Sequence, residues 1–466
     1  DPMDRTRVPV PPIRQRLSDF IRTTSYADLS PAVVHAAKLC LIDLVGVALA
    51  GVRQRVTAIA HETIGAAGGE PQVTVWGFDR RVPVPMAAML NAVSGHAIDM
   101  DDGHRFANGH PGVVTIPPAV ALAEHGDFGG CELIEAVVVG YEFFIRLGSA
   151  LNPDLLQRGF HTTATVGSIA SGAAAARLLR LSGPQTEQAL SLAALQSAGL
   201  LEVLASGESG KSFQVGKAAQ SGVLAACMAR AGADGPERVF EGEKGFFNAF
   251  SGKAVDADKF CRAFGRGFGI PGVYFKRHAA CRHIHSALDA LAEIAAATPI
   301  VPEAIEAIDI ETYSIARNLT GHITSAESAL AAKFSTPIAV GLYLVFGRTD
   351  AEVFTRANVA DARVRRLAER VTVRVDPERD AMLPDRRSAR VTVRTTAGSF
   401  QKEVFYSKGE PEFPLTDAEM RAKFEANAGS LYPADRVRRI HDTIMAIDRH
   451  TVRELTALLT APPPGR

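Results

Sequence analysis

Between Ser30 and Cys261 one pattern repeats: apolar residues recur at helical spacing in seven successive stretches, 31–46, 83–99, 113–125, 131–151, 162–180, 184–204 and 214–232. Several are apolar nearly all round, and only a helix surrounded by other helices buries such a surface. This half of the chain is thereby committed to a large all-helical domain. Ser30 followed by Pro31 supplies an N-cap and a first-turn proline for the first stretch. Small residues dominate 163–176, so a neighbouring backbone can approach closely there.

After Pro271 the texture changes. Segments 305–314, 370–376, 389–396 and 400–406 alternate or are rich in β-branched residues, with Asp/Pro and Ala-Gly turn signals between them and helical stretches at 283–297 and 325–346. From Thr416 to Leu459 the helical pattern returns. A chain of 466 residues exceeds what one core usually serves. The expected fold class is mainly α, with an all-helical domain over 1–268, a smaller α+β domain over 269–409, and C-terminal helices over 410–466 that return to the helical domain.

Lys+Arg and Asp+Glu both number 51, and no basic stripe with interleaved aromatics is present, so nucleic acid is not an expected partner. The five cysteines are odd in number and scattered, without the spacing of zinc or iron-sulfur sites, which fits a reducing cytoplasm. The charged start lacks a secretory apolar core, and Asp1-Pro2 before Met3 reads as a cloning remnant. The longest uncharged stretch tested, 161–176, is too short and too rich in Gly, Ser and Thr to span a bilayer, so no membrane is expected.

The densest chemistry lies in segment 96–112, which holds three carboxylates, three imidazoles and Arg105 beside a strongly apolar helix. If the helix continues through Asp99, His96 and Asp99 share a face at i, i+3. Asp101-Asp102 sets like charges side by side, which raises a carboxylate pKa on burial. The bland reading is a solvated acidic helix end. A divalent cation is the sharper rival, but H-E-x-x-H is missing, and the expectation is a site with no metal.

Ala205 to Ser212 resembles a phosphate-binding loop with Ala205 at the first glycine, yet a helical pattern, not a strand, precedes it. Lys211 at this Gly-rich helix start can hold a carboxylate or act as a base if desolvated. His161 begins another apolar helix, where a structural histidine is the ordinary outcome. Lys276 to His285 concentrates three cations and three imidazoles, readable as a solvated basic face or as an anion site between domains.

In order, Asp43-Leu-Val-Gly-Val-Ala-Leu-Ala-Gly, His96-Ala-Ile-Asp-Met-Asp-Asp, His110-Pro-Gly, Gly140-Tyr-Glu, Gly159-Phe-His, Lys211-x4-Gly216-Lys-Ala-Ala, Phe240-Glu-Gly, Lys276-x4-Cys281 and Lys333-Phe-Ser resemble the MmgE/PrpD family across nearly the whole chain. The resemblance implies a helical domain, an α+β lid, a cleft between them, and a homodimer. It also implies a cofactor-independent site carried onto Asp99, His110, His161, Lys211 and Lys276. Family activities include 2-methylcitrate dehydratase, cis-aconitate decarboxylase and iminodisuccinate epimerase. Gly103 stands where dehydratase and decarboxylase members resemble Asp-Asp-Thr-His, and the loop to His110 is one residue longer. The tyrosine implied before the second domain's helix falls at Arg317 or Asn318, with Tyr313 nearest.

These reactions all handle a carbon beside a carboxylate, whose proton becomes acidic only when enolate-like charge is stabilised. Asp99, His110, His161 and Lys211 are therefore the expected catalytic residues, and His96, Arg105 and Lys276 the expected binders of a small polycarboxylate. The departures resemble the epimerase branch most, giving proton removal and return at the α carbon of an iminodisuccinate-like amino-polycarboxylate. The alternatives are a dehydratase or decarboxylase acting on a tricarboxylate, a non-catalytic carboxylate-binding relative, and a nucleotide-dependent enzyme.

Overall fold

The computed structural model describes residues 11–204, 210–326 and 328–461. The Asp1-Pro2 start and residues 205–209 of the Ala205 to Ser212 stretch lie outside the described residues. The chain is mainly α; the described structure is 59% helical, with one two-stranded and one four-stranded sheet among the described residues.

Helices Pro31–Gly51, Val84–His96, Pro111–Gly126, Gly130–Leu151, Thr162–Leu178, Gly183–Leu195 and Gly210–Arg230 form the helical assembly. The Ser30 side chain caps the first of these through the Val33 N–H, with Pro31 in the first turn. Thr162–Leu178 is buried along nearly all its length, so it needs neighbours on every side. Its small residues allow that. A Cβ placed on Gly222 would lie 2.3 Å from the Gly172 nitrogen, so helices 162–178 and 210–230 touch backbone to backbone.

Two expected helices are shorter than their patterns. The 83–99 stretch stops at His96, and 184–204 stops at Leu195 before a 3-10 turn at Leu201–Leu204. A helix at Arg55–Gly65 and a short hairpin pairing Val73 with Val82 were not expected. Among the described residues Pro31–Gly51 is long and apolar enough to cross a membrane by length and composition, but 67% of its apolar window is buried in protein. Helices Asp417–Gly429 and Ala434–Met445 pack on it.

The four-stranded sheet runs Val371–Val375, Ile305–Thr312, Ala389–Thr395, Gly398–Val404. The first pair is parallel, with Ile308 opposite Val371, and a helical crossover between them supplies the long connection a parallel pair needs. The other pairs are antiparallel, with Ile310 opposite Val391. Ala389, Val391 and Val393 alternate inward to meet helix His285–Ala297. The expected 325–346 helix is broken into Ala329–Ala332 and Thr336–Phe346. Ser335 makes the break, because its side chain caps the second helix.

Two hydrophobic clusters follow this division. Ile98 and Met100 pack with the cluster of the α+β part although their chain neighbours belong to the helical one. The turn carrying Asp99 is thereby wedged between the two.

Candidate active site

Because its helix ends at His96, Asp99 does not share a helical face with it; the expected i, i+3 geometry is incorrect. Asp99 instead takes a left-handed backbone, φ 54°, a conformation short acidic residues tolerate better than most. Tertiary contacts hold it. Three consecutive carbonyls each accept from a lysine: Ile98 from Lys333 Nζ at 2.6 Å, Asp99 from Lys276 at 2.9 Å, and Met100 from Lys423 at 3.0 Å.

The Asp99 carboxylate binds Lys211 Nζ at 2.6 Å and lies 3.3 Å from Lys276 Nζ. Burial alone would raise its pKa, but Lys211 and Lys276 hold it well below the usual carboxylate range. A solvated acidic helix end is ruled out, because His96, Asp99, Asp101 and Asp102 are each at most 2% exposed. Lys333 sits in the same field. Burial and the neighbouring Lys276 and Lys211 outweigh Asp99 and bring it down to about 8.

His96 and Asp101 form a buried pair, Nδ1 to Oδ2 2.9 Å. Against the opposing effect of burial, His96 and His110 hold Asp101 below its ordinary range. Its neighbour goes the other way. Burial and the Asp43 charge push Asp102 up to about 8, while its oxygens accept from Tyr141 at 2.6 Å and from the Gly112 N–H at 3.0 Å. The expected rise from adjacent acids therefore falls on Asp102 alone.

Two imidazoles are fixed in opposite tautomers. His110 Nδ1 lies 2.6 Å from the Asp102 carbonyl, which can only accept, so the proton is on Nδ1 and Nε2 presents a lone pair. Gln214 Oε1 takes the Leu200 N–H at 3.2 Å, which orients its amide so that Nε2 donates to His161 Nδ1 at 2.8 Å. His161 therefore carries its proton on Nε2. Both rings are neutral at pH 7. Burial, against Asp101 but with Lys276, His96 and Lys211, lowers His110 to about 3; burial, Lys211, His96 and His110 hold His161 well below its ordinary value.

Arg105 takes no part in this cluster. It pairs with Glu410 at 3.3 Å and Glu412 at 2.5 Å. Nor is the 276–285 stretch a solvated basic face: Lys276, His278, Arg282 and His285 are buried. His278 is held between Thr349 at 2.6 Å and Asp289 at 3.0 Å, and Arg282 pairs with Glu410 at 2.8 Å. Among the described residues ahead of Lys211, helix Gly183–Leu195 is followed by an irregular stretch and the 3-10 turn Leu201–Leu204, with no strand of the kind a phosphate loop requires. Among the described residues no group of three or more His, Cys, Asp or Glu is arranged to hold a metal.

Sequence reasoning missed Gln214, Lys333 and Lys423. Lys333 alone left a trace, in the Lys-Phe-Ser motif. Asp99, His110, His161 and Lys211 come from the helical part, Lys276 and Lys333 from the α+β part, so the cluster exists only where the two meet.

A mainly helical chain with a small α+β part and a buried lysine–carboxylate–imidazole cluster at their junction defines the class. The chain belongs to the MmgE/PrpD family: the MmgE/PrpD N-terminal domain matches residues 15–257 and the MmgE/PrpD C-terminal domain residues 278–449. It is 27% identical to the cis-aconitate decarboxylase-like protein oryM of Aspergillus oryzae, over 96% of this chain and 97% of that one. It is 26% identical to the cis-aconitate decarboxylases of Aspergillus terreus, over 93% of both chains, and of Homo sapiens, over 97% of this chain and 95% of the human one.

Proposed function

We propose that the chain is a cofactor-independent epimerase of a small amino-polycarboxylate of the iminodisuccinate type, exchanging the proton on the carbon α to a carboxylate. The observation that carries this reading is the pair of neutral imidazoles in opposite tautomers beside a lysine-rich field. His110 Nε2 has the lone pair a base needs, and His161 Nε2–H is a hydrogen-bond donor for the charge that develops. The His110 nitrogen takes the α proton and the bond's electron pair spreads onto the carboxylate. Lys211, Lys276 and His161 stabilise that charge. The Lys211 ammonium, held by Asp99, returns a proton to the opposite face. His96 and Lys276 assist in binding, while Arg105, occupied by Glu410 and Glu412, braces the loop.

A second reading is favoured by the relatives, which are named for decarboxylation of cis-aconitate: the same base and field acting on a tricarboxylate as a lyase. The deciding experiment incubates the enzyme in deuterated water with single stereoisomers of iminodisuccinate, and separately with cis-aconitate and 2-methylcitrate. Deuterium at the α carbon with mixing of stereoisomers supports the epimerase. Carbon dioxide release or an unsaturated product supports the lyase, and tight binding without exchange or turnover supports a carboxylate-binding relative. We further propose a cytoplasmic homodimer, which sedimentation equilibrium tests by returning twice the chain mass.

A further inference from the structure

Arg387 differs from the other arginines packed near the site. Arg105 and Arg282 each face a carboxylate within ion-pair distance, whereas among the described residues Arg387 has none. It is partly open rather than buried. Its Nη2 donates to the Arg105 carbonyl at 3.1 Å and to Asn108 Oδ1 at 2.9 Å, two groups on the loop between Asp99 and His110. These contacts aim the guanidinium without neutralising it.

Beside it stand two neutral phenols, while the Glu410 carboxylate that also acts on it lies beyond ion-pair distance and is already paired with Arg105 and Arg282. The Tyr274 and Tyr313 hydroxyls are close enough to act on its charge, and Tyr313 is hydrogen-bonded to His283 Nδ1 at 2.7 Å. Burial, Arg387, Lys276 and Arg282 keep His283 uncharged, which also ties this cluster to the Lys276 field at Asp99. Gly103 makes room for it. Its backbone pairs with Tyr274 at 3.1 and 2.8 Å, and a Cβ at 103 would lie 2.3 Å from the Tyr274 hydroxyl oxygen, so a threonine there would displace the phenol.

We infer that Arg387, with Tyr274 and His283 beside it, is the subsite for a carboxylate of the substrate remote from the reacting carbon, and that Gly103 is the residue that admits Tyr274 to it. The inference rests on the polycarboxylate reading above and names the group that would set substrate class. A guanidinium fork offers a planar anion two parallel hydrogen bonds, which a carboxylate fills and a hydroxyl or amide does not.

The test uses binding rather than turnover, so it stays readable even if the exchange reaction is absent. Tricarballylate, an unreactive tricarboxylate, and methylsuccinate, the same skeleton lacking one terminal carboxylate, are titrated calorimetrically into wild type, Arg387→Met, Arg387→Lys and Gly103→Ala, with circular dichroism checking the fold. Wild type should prefer tricarballylate. Arg387→Met should shrink that preference about tenfold to a hundredfold, the range of a charge-assisted hydrogen bond. Arg387→Lys should restore part of it, and Gly103→Ala should shift it in the direction of Arg387→Met. An unchanged preference in a folded Arg387→Met, an equal loss for both ligands, or a wild type that does not favour tricarballylate overturns the inference.

Discussion

Lys333→Met tests the electrostatics of the junction. Lys333 is buried, and its ordinary pKa of 10.5 falls to about 8 in the folded chain. A base whose folded pKa is depressed costs stability while it is charged in both states, and that cost is relieved as pH rises through the folded value, because the unfolded chain then holds the extra proton. Linkage gives wild type about 2.5 kcal/mol of added stability between pH 7 and pH 10 from this group. At pH 7 the variant removes a penalty of about 3 kcal/mol and loses one charged hydrogen bond to the Ile98 carbonyl, about 1.5–3 kcal/mol, so its stability should be close to wild type or slightly higher. At pH 10 it should be less stable than wild type by about 1–2.5 kcal/mol, from the same linkage. Urea denaturation of both proteins at pH 7, 8, 9 and 10 reads the difference. A difference that does not change with pH refutes the depressed Lys333.

His110→Gln removes the only lone pair offered by that ring and should lower α-proton exchange by about 10²–10⁴ with the fold intact; exchange within threefold of wild type removes His110 as the base. Gln214→Leu frees His161 Nδ1 to carry the proton, and exchange should fall about tenfold or more while thermal stability changes little; unchanged exchange shows that the tautomer lock is irrelevant. Asp99→Asn keeps the shape but leaves Lys211 and Lys276 without a counter-charge, and should cost about 3–5 kcal/mol in urea denaturation, with a loss under 1 kcal/mol counting against the buried pair.

The helices of the first half were readable because each must be apolar on most faces to be buried, and the second sheet because Ala389, Val391 and Val393 alternate with exposed or half-buried neighbours. The turn at Asp99 was not. Local pattern extends the helix past His96, and what stops it is Lys333, Lys276 and Lys423, which come from 177 to more than 320 residues away in sequence. A lone lysine in an ordinary context carries no mark of such a partner. Composition brought Asp99 and His110 forward, since few surfaces tolerate so many acids and imidazoles in one short segment, whereas Lys211 came forward from the Gly-rich stretch at its helix start. Arg105 came forward for the same reason, and only the distant Glu410 and Glu412 decide where its charge goes.

The account stands on two neutral imidazoles with opposite tautomers, and ¹⁵N NMR of histidine-labelled protein at pH 7 measures them directly. It predicts His110 neutral with its proton on Nδ1 and His161 neutral with its proton on Nε2, each assigned from the spectrum of the corresponding glutamine variant. An imidazolium signal for either residue, or the same tautomer for both, contradicts it.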